Sequence, residues 1–310
     1  MKTILSILIV LSLFVVGGSQ AEEYLLQGNL GKDHHVGVPV LDVEKAKTWY
    51  TNNLGFNLVH ETSLPTAEGD IKVAFVRLND LTIELYQLVG KDAEEVATRR
   101  DGHIDHIAFD VVDMEKGLKD VLAKGGKLHE TTSDGPVLLP TFYSKGVTYV
   151  KFRGLSGGET IELTLQMDLD PARRSENLGG WSHLGIPATN IENSKNFYRQ
   201  FGFKETMRAD IAVGNQMIPA AMMTKDGFTL EFYQLLGADL KEVASRKDGC
   251  IDHIALQVAD VDKAYADVKA AGLAPLEDAP VLLKTFFEKG VKYFNVRGPD
   301  GEKVEFIQVL

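Results

Sequence analysis

The chain has one cysteine, Cys250, in 310 residues. No disulfide can form within it, so the fold must be held by its core rather than by bridges. It has no Lys/Arg run, and 33 basic against 44 acidic side chains give a formal charge of −11, which argues against nucleic acid and anionic membrane surfaces as partners. It also lacks a long apolar run: the stretch from Ile4 to Val16 falls short of the roughly 20 residues a membrane-spanning helix needs. With Lys2 before it and Ser19-Gln20-Ala21 after it, that stretch reads as a secretory signal peptide, residues 1–21, with the mature chain starting at Glu22. The expectation is an exported protein, periplasmic or extracellular, with no membrane association after cleavage. Nothing near Cys250 marks it as a nucleophile, and it reads as a buried strand residue. What remains is ordinary globular material, 44% apolar and 25% charged, enough for about two domains.

The organisation is a repeat. Pro136 to Gly154 returns at Pro280 to Gly298 with 12 of 19 positions identical, and Asp101-Gly-His-Ile-Asp-His-Ile-Ala-Phe returns as Asp248-Gly-Cys-Ile-Asp-His-Ile-Ala-Leu. The halves are read as domains over 31–168 and 180–310, joined by a polar, Pro- and Gly-bounded linker, 169–179. Each half divides again. From His35, His106, His183 and His253 a short alternating strand runs to Asp42, Asp113, Asn190 or Asp260, all good helix N-caps. The helix that follows stops at Gly55, Gly125, Gly202 or Gly272. Alternating runs then lead to a last strand carrying Glu84, Glu162, Glu231 or Glu305. The expected fold is α+β: four β-α-β-β-β modules.

Period two assigns faces. Val36, Val38 and Val40 form an apolar face, while His35, Gly37 and Pro39 share the other; the split recurs at His106, His183 and His253. Each histidine has Gly or Ala two residues on, which leaves room beside it. Glu84 points with Tyr86, and Glu231 with Tyr233. Two imidazoles and two carboxylates converging in a curled sheet make a mixed site for Ni²⁺, Co²⁺, Mn²⁺, Zn²⁺ or Fe²⁺. Four of the eight histidines hold this one repeated position; His34, His60, His103 and His129 are read as non-ligands. Tyr149, Lys151 and Arg153, echoed by Tyr293, Asn295 and Arg297, alternate on one strand face as candidates for holding an anionic or carbonyl group.

His35-Val-Gly-Val-Pro-Val, Ile83-Glu-Leu, His106-Ile-Ala-Phe-Asp-Val, Phe152-Arg-Gly and Ile161-Glu-Leu, with their counterparts in the second half, resemble the vicinal oxygen chelate superfamily over residues 31–310. That superfamily includes glyoxalase I, methylmalonyl-CoA epimerase, extradiol dioxygenases and bleomycin resistance proteins. The resemblance implies paired β-α-β-β-β modules whose curved mixed sheets form a cup around a divalent metal. It places metal ligands at His35, Glu84, His106 and Glu162, and again at His183, Glu231, His253 and Glu305. A pairing of one module from each half, His35 and Glu84 with His253 and Glu305, is the alternative. It also implies that the last glutamate of a site, Glu162 or Glu305, moves a proton next to the metal. On strand faces alone, Tyr86, Tyr233, Tyr149, Lys151, Arg153, Tyr293 and Arg297 are the candidates for contact with a substrate.

Bacterial glyoxalase I enzymes usually carry Arg and Asn four residues beyond the first histidine and first glutamate. Here those positions are Pro39 and Pro187, Leu88 and Leu235, so glutathione is not supported. The stretch from His60-Glu-Thr to Ile83-Glu-Leu is more similar to methylmalonyl-CoA epimerase. The expected function is metal-dependent proton transfer α to a carbonyl, as a lyase, isomerase or epimerase on a small carbonyl or aromatic substrate. The alternatives are a non-catalytic binding or resistance protein, or an Fe²⁺ extradiol dioxygenase. Duplication within one chain supplies what a homodimer of half-length relatives would, which is consistent with a monomer.

Overall fold

The computed structural model describes residues 24–154, 158–168, 178–213 and 215–310. The predicted leader, 1–21, and all of the predicted linker except its last two positions lie outside them. Among the described residues no helix is long and apolar enough to cross a membrane.

Four modules follow one another. The first is β1 (Leu30–Pro39), α1 (Val43–Leu54), β2 (Asn57–Thr66), β3 (Gly69–Leu78) and β4 (Leu81–Gln87), followed by α2 (Gly90–Val96). The second is β5 (His106–Val111), α3 (Met114–Ala123), β6 (Lys127–Leu128), β7 (Val137–Leu139), β8 (Val147–Arg153) and β9 (Thr160–Gln166). The third is β10 (Leu178–Pro187), α4 (Ile191–Arg199), β11 (Lys204–Val213), β12 (Gln216–Lys225) and β13 (Phe228–Tyr233), followed by α5 (Gly237–Val243). The fourth is β14 (His253–Val258), α6 (Val261–Ala270), β15 (Val281–Leu283), β16 (Val291–Arg297) and β17 (Lys303–Val309).

The capping chemistry sets the helix bounds. Asp42, Asp113, Asn190 and Asp260 are extended, and each side chain accepts from a backbone N–H in the first turn. Gly55, Gly125, Gly202 and Gly272 take φ between 77° and 88° at or just past the helix ends, a conformation that favours glycine. Val36, Val38, Ile107, Leu184 and Ile254 are fully buried in a common core that all four modules share, each side chain contributing about 1.5–3 kcal/mol of burial.

The modules pair across the halves. One sheet has the order β15-β16-β17-β14-β1-β4-β3-β2, joining the fourth module to the first; the other runs β11-β12-β13-β10-β5-β9-β8-β6, with β7 also on β8. The seams are the antiparallel pairs β1 with β14 and β10 with β5. To reach these positions, two of the three connectors between modules, those leading into β5 and β14, cross each other. His103 N–H donates to the Lys247 carbonyl (3.1 Å) and Cys250 N–H to that of Arg100 (3.0 Å). A Cβ on Gly102 would lie 2.3 Å from the Gly249 nitrogen, so side chains are excluded from both positions at the crossing.

Two candidate metal centres

The seam register decides which side chains meet. Gly37 lies opposite His253 and Ala255 opposite His35; Gly185 lies opposite His106 and Ala108 opposite His183. The space beside each histidine is therefore filled by the imidazole from the strand across the seam. Parallel neighbours β4, β17, β13 and β9 bring in Glu84, Glu305, Glu231 and Glu162.

The result is two quartets. In the first cup the Nε2 atoms of His35 and His253 are 3.4 Å apart; each is 3.4 Å from Glu84 and 3.9–4.0 Å from Glu305. In the second cup the Nε2 atoms of His106 and His183 are 3.1 Å apart, with Glu231 at 3.3–3.4 Å and Glu162 at 3.6 Å from both. His35, Glu84, His106 and Glu162 do not form a site, nor do His183, Glu231, His253 and Glu305. The within-half grouping is corrected to the cross-half one because β1 and β5 belong to different sheets.

The donor set fits a divalent ion. Ligands about 2.0–2.2 Å from a common centre stand about 3.0–3.5 Å from one another in octahedral or tetrahedral arrangements, close to the separations seen here. His35, His253 and Glu305, and likewise His106, His183 and Glu231, bring donor atoms within 4.8 Å of one another. All six of these residues are buried.

A further layer was missed in the sequence reading. The Nδ1 of His106 faces Asp105 at 2.9 Å and that of His253 faces Asp252 at 3.1 Å, leaving Nε2 toward the centre; such carboxylate–imidazole pairs orient metal-binding histidines. Arg246 (3.1 Å) and Lys151 (2.9 Å) hold Asp105, whereas Arg99 (2.8 Å) and Lys303 (2.7 Å) hold Asp252. The repeated Asp-His pair and the arginines following α2 and α5 were the available signal.

Charges follow from these contacts. Burial opposes a charge on Glu84, but the hydrogen bonds with His253 and His35 outweigh it and hold the carboxyl at about 2. Burial is likewise overcome at Glu231, mainly by His183 and His106, so it too lies well below the usual range. Burial pushes Glu305 up. His253, despite burial, is raised to about 10 by Asp252 and Glu84. At His106 burial and Lys151 oppose the proton, yet Glu162, Asp105 and Glu231 bring it to about 9.

All four polar residues of the second quartet line one cavity of about 290 Å³, with Tyr149, Lys151 and Tyr233. In the first cup Glu84, His253 and Glu305 face a lobe of about 220 Å³ with Tyr86 and Tyr293, and His35 faces another of about 200 Å³. Arg153 and Arg297 do not reach these cavities; they are drawn to Asp101 and Asp248 instead. Asn295 is bound by Glu277. His34 stacks on Phe228 at 4.1 Å and lines the lobe beside His35 without joining either quartet. Cys250 is buried in the turn before β14, and burial pushes its thiol up to about 11.

A curved two-cup β-α-β-β-β architecture of this kind defines a known class. The chain belongs to the Glyoxalase/Bleomycin resistance protein/Dioxygenase superfamily, which matches residues 33–143 and 180–306. Human mitochondrial methylmalonyl-CoA epimerase is 32% identical over 99 residues, 31% of this chain and 55% of that protein; the chain spans about half the length of the curated relatives of this kind. Glyoxalase I from Zea mays superposes with a TM-score of 0.65 at 20% identity, over 88% of this chain and 91% of that one. A putative dioxygenase from Bacillus subtilis superposes at 0.58 with 14% identity, over 90% and 85%. At these identities the two structures establish the fold, and a fold shared by enzymes this different does not choose a reaction.

Proposed function

We propose that this protein is a divalent-metal-dependent enzyme that moves a proton α to a carbonyl, as a lyase, isomerase or epimerase. The observation that carries the reading is the pair of two-histidine, two-glutamate quartets, buried at every position but Glu84, each with an aspartate behind one imidazole. The fourth donor favours this reading over three-ligand iron oxygenase chemistry, and ligands retained in both cups favour it over passive binding. Ni, Co, Zn or Mn suits the mixed nitrogen and oxygen donors.

When bound, such an ion would polarise the substrate carbonyl and acidify the neighbouring C–H. The protein's own groups divide the remaining work. Glu84 and Glu231 lie nearest both imidazoles and are held as carboxylates. Glu305 and Glu162 stand farther from them, which suits them to take the proton and return it. Tyr86, Tyr293, Tyr149 and Lys151 line the space in which a substrate would be oriented.

The test is hydrogen–deuterium exchange at the α-carbon, followed by NMR in D₂O with a panel of α-hydroxy ketones, α-hydroxythioesters and α-branched thioesters. Metal-loaded protein should catalyse exchange on at least one compound, and the Glu162→Gln/Glu305→Gln double variant should lose it while keeping its metal. Exchange on none of them, or exchange unchanged in the double variant, would overturn the assignment. In the same family of readings, export to a periplasmic or extracellular space is proposed from the leader-like residues 1–21.

A further inference from the structure

The aspartate behind each imidazole is gripped from two sides. The lysines come from its own cup: Lys151 on β8 reaches Asp105, and Lys303 on β17 reaches Asp252. The arginines do not. Arg99 lies on the connector that ends in Asp105-His106 of the second cup, yet its Nη1 donates to Asp252 of the first (2.8 Å) and to the Gly249 carbonyl (3.2 Å). Arg246 lies on the connector that ends in Asp252-His253 of the first cup, and its Nη1 donates to Asp105 of the second (3.1 Å) and to the Gly102 carbonyl (3.3 Å).

Each arginine stands six residues before the aspartate of one cup and holds the aspartate of the other. The contacts close into a ring that passes through both Asp-His pairs, both connectors and both arginines. The ring has little slack. Ile104 and Ile251 pair across the crossing and are buried in the core, and Gly102 and Gly249 leave no space between the two backbones. The arginine side chains are only 11% and 14% exposed, and Glu95 and Glu242 fix the guanidinium planes by accepting from Nε. Close-packed segments of this kind pass a displacement on rather than absorb it. The ring also reaches the seams directly, because Asp105 N–H donates to the Gly185 carbonyl and Asp252 N–H to that of Gly37, both at 2.8 Å.

We propose that Arg99 and Arg246 are positioning residues that link the two centres, so that an ion held in one cup raises the affinity of the other cup for its own. The inference rests on the proposed metal centres and is independent of the reaction they carry out. An ion at His253 fixes that ring, and through Asp252 it fixes Arg99 and the connector on which Asp105 stands. The second cup then has less to order when its own ion arrives. The return path through Arg246 gives the same effect in the other direction, as linkage between two binding equilibria requires. Duplication supplies both arms, because Arg99 and Arg246 occupy the same position of the repeat.

The test is competition between the full chain and a chelator for Zn²⁺. Two variants each keep one cup: His183→Ala/Glu231→Gln disables the second and His35→Ala/Glu84→Gln the first, with the crossing and both Asp-His pairs left intact. Independent cups would give the wild type an overall two-ion association constant equal to the product of the two one-cup constants. The link should raise it at least about fivefold above that product. In an Arg99→Met/Arg246→Met background the ratio should fall to about one. Arginines that served only to stabilise the fold would, when lost, weaken both cups and leave the ratio in place. Amide hydrogen exchange reads the same link with both arginines present: Zn²⁺ bound in the first cup alone, in His183→Ala/Glu231→Gln, should slow exchange of the Asp105 N–H in the second at least about twofold. A ratio at or below one in the wild type, a raised ratio that survives loss of both arginines, or Asp105 exchange unmoved by Zn²⁺ in the first cup would each overturn the proposal while leaving the metal centres standing. Failure of the wild type to bind Zn²⁺ would overturn the metal centres, and the link with them.

Discussion

A single methyl group placed at Gly185 should empty one centre and spare the other. The Cβ of an alanine there would lie 2.0 Å from Cε1, 2.3 Å from Nδ1 and 2.5 Å from Nε2 of His106, whereas carbon atoms in ordinary contact stay about 3.5 Å apart. The ring must therefore move by about 1.5 Å, several times the roughly 0.2 Å tolerance of a metal–ligand distance. Asp105, Arg246 and Lys151 hold the ring from behind, so the strain falls on the seam, and overpacking costs about 1–3 kcal/mol. The protein should still fold, with a lower Tm. The assay is metal per chain by mass spectrometry after equilibration with Ni²⁺ or Zn²⁺ and removal of excess. Wild type should hold two equivalents and Gly185→Ala one. Gly37→Ala, whose Cβ would meet His253 at the same distances, should also hold one, and the double variant none. Two tightly bound equivalents in Gly185→Ala would refute both the crowding argument and the assignment of His106 as a ligand.

Removing the charge behind an imidazole is a milder change: Asp105→Asn and Asp252→Asn should each weaken metal binding by about 10–100-fold at one centre, measured by competition with a chelator. Metal affinity should rise with pH, because His106 and His253 hold protons up to about 9 and about 10 and a bound ion displaces them. About tenfold per pH unit is expected from pH 6 to 8 at each centre, and a flat profile would contradict it. Glu302, buried beside Asp300, is raised from 4.5 to about 8. Its folded carboxyl keeps a proton that the unfolded one has lost, so its contribution is full below about 4.5 and is lost as pH rises through 8, at about 1.4 kcal/mol per unit in between. Glu302→Gln should flatten the dependence of Tm on pH between 6 and 9; an unchanged slope would show that another group is responsible.

The module architecture was legible because it is written in local signals. Asp42, Asp113, Asn190 and Asp260 cap helices wherever they stand, and the alternation through Val36, Val38 and Val40 fixes a buried face without reference to any distant residue. The same alternation put all eight histidines and glutamates on the correct side of their strands. Pairing was not legible, because a strand beginning at His35 accepts either His106 or His253 as its neighbour on pattern alone. The deciding feature is the crossing at Gly102 and Gly249, a contact between residues 147 positions apart. Asp105 and Asp252 escaped notice for a different reason: they stand directly before their histidines, where strand alternation would send their side chains to the opposite face. The hydrogen bonds to Nδ1 form because each aspartate precedes the first residue of β5 or β14.

The seam between β1 and β14 also sets an order of events during synthesis. His35 leaves the ribosome early, but its partners His253 and Glu305 lie 218 and 270 residues later. At about 5–20 residues per second the first strand waits roughly 15–50 s for the last, with its seam edge unpaired. The second cup, drawn from the middle of the chain, has all its ligands once Glu231 has emerged. It can close first and present a folded surface on which the two ends of the chain meet, so the centre nearest the termini is the last to become able to hold an ion.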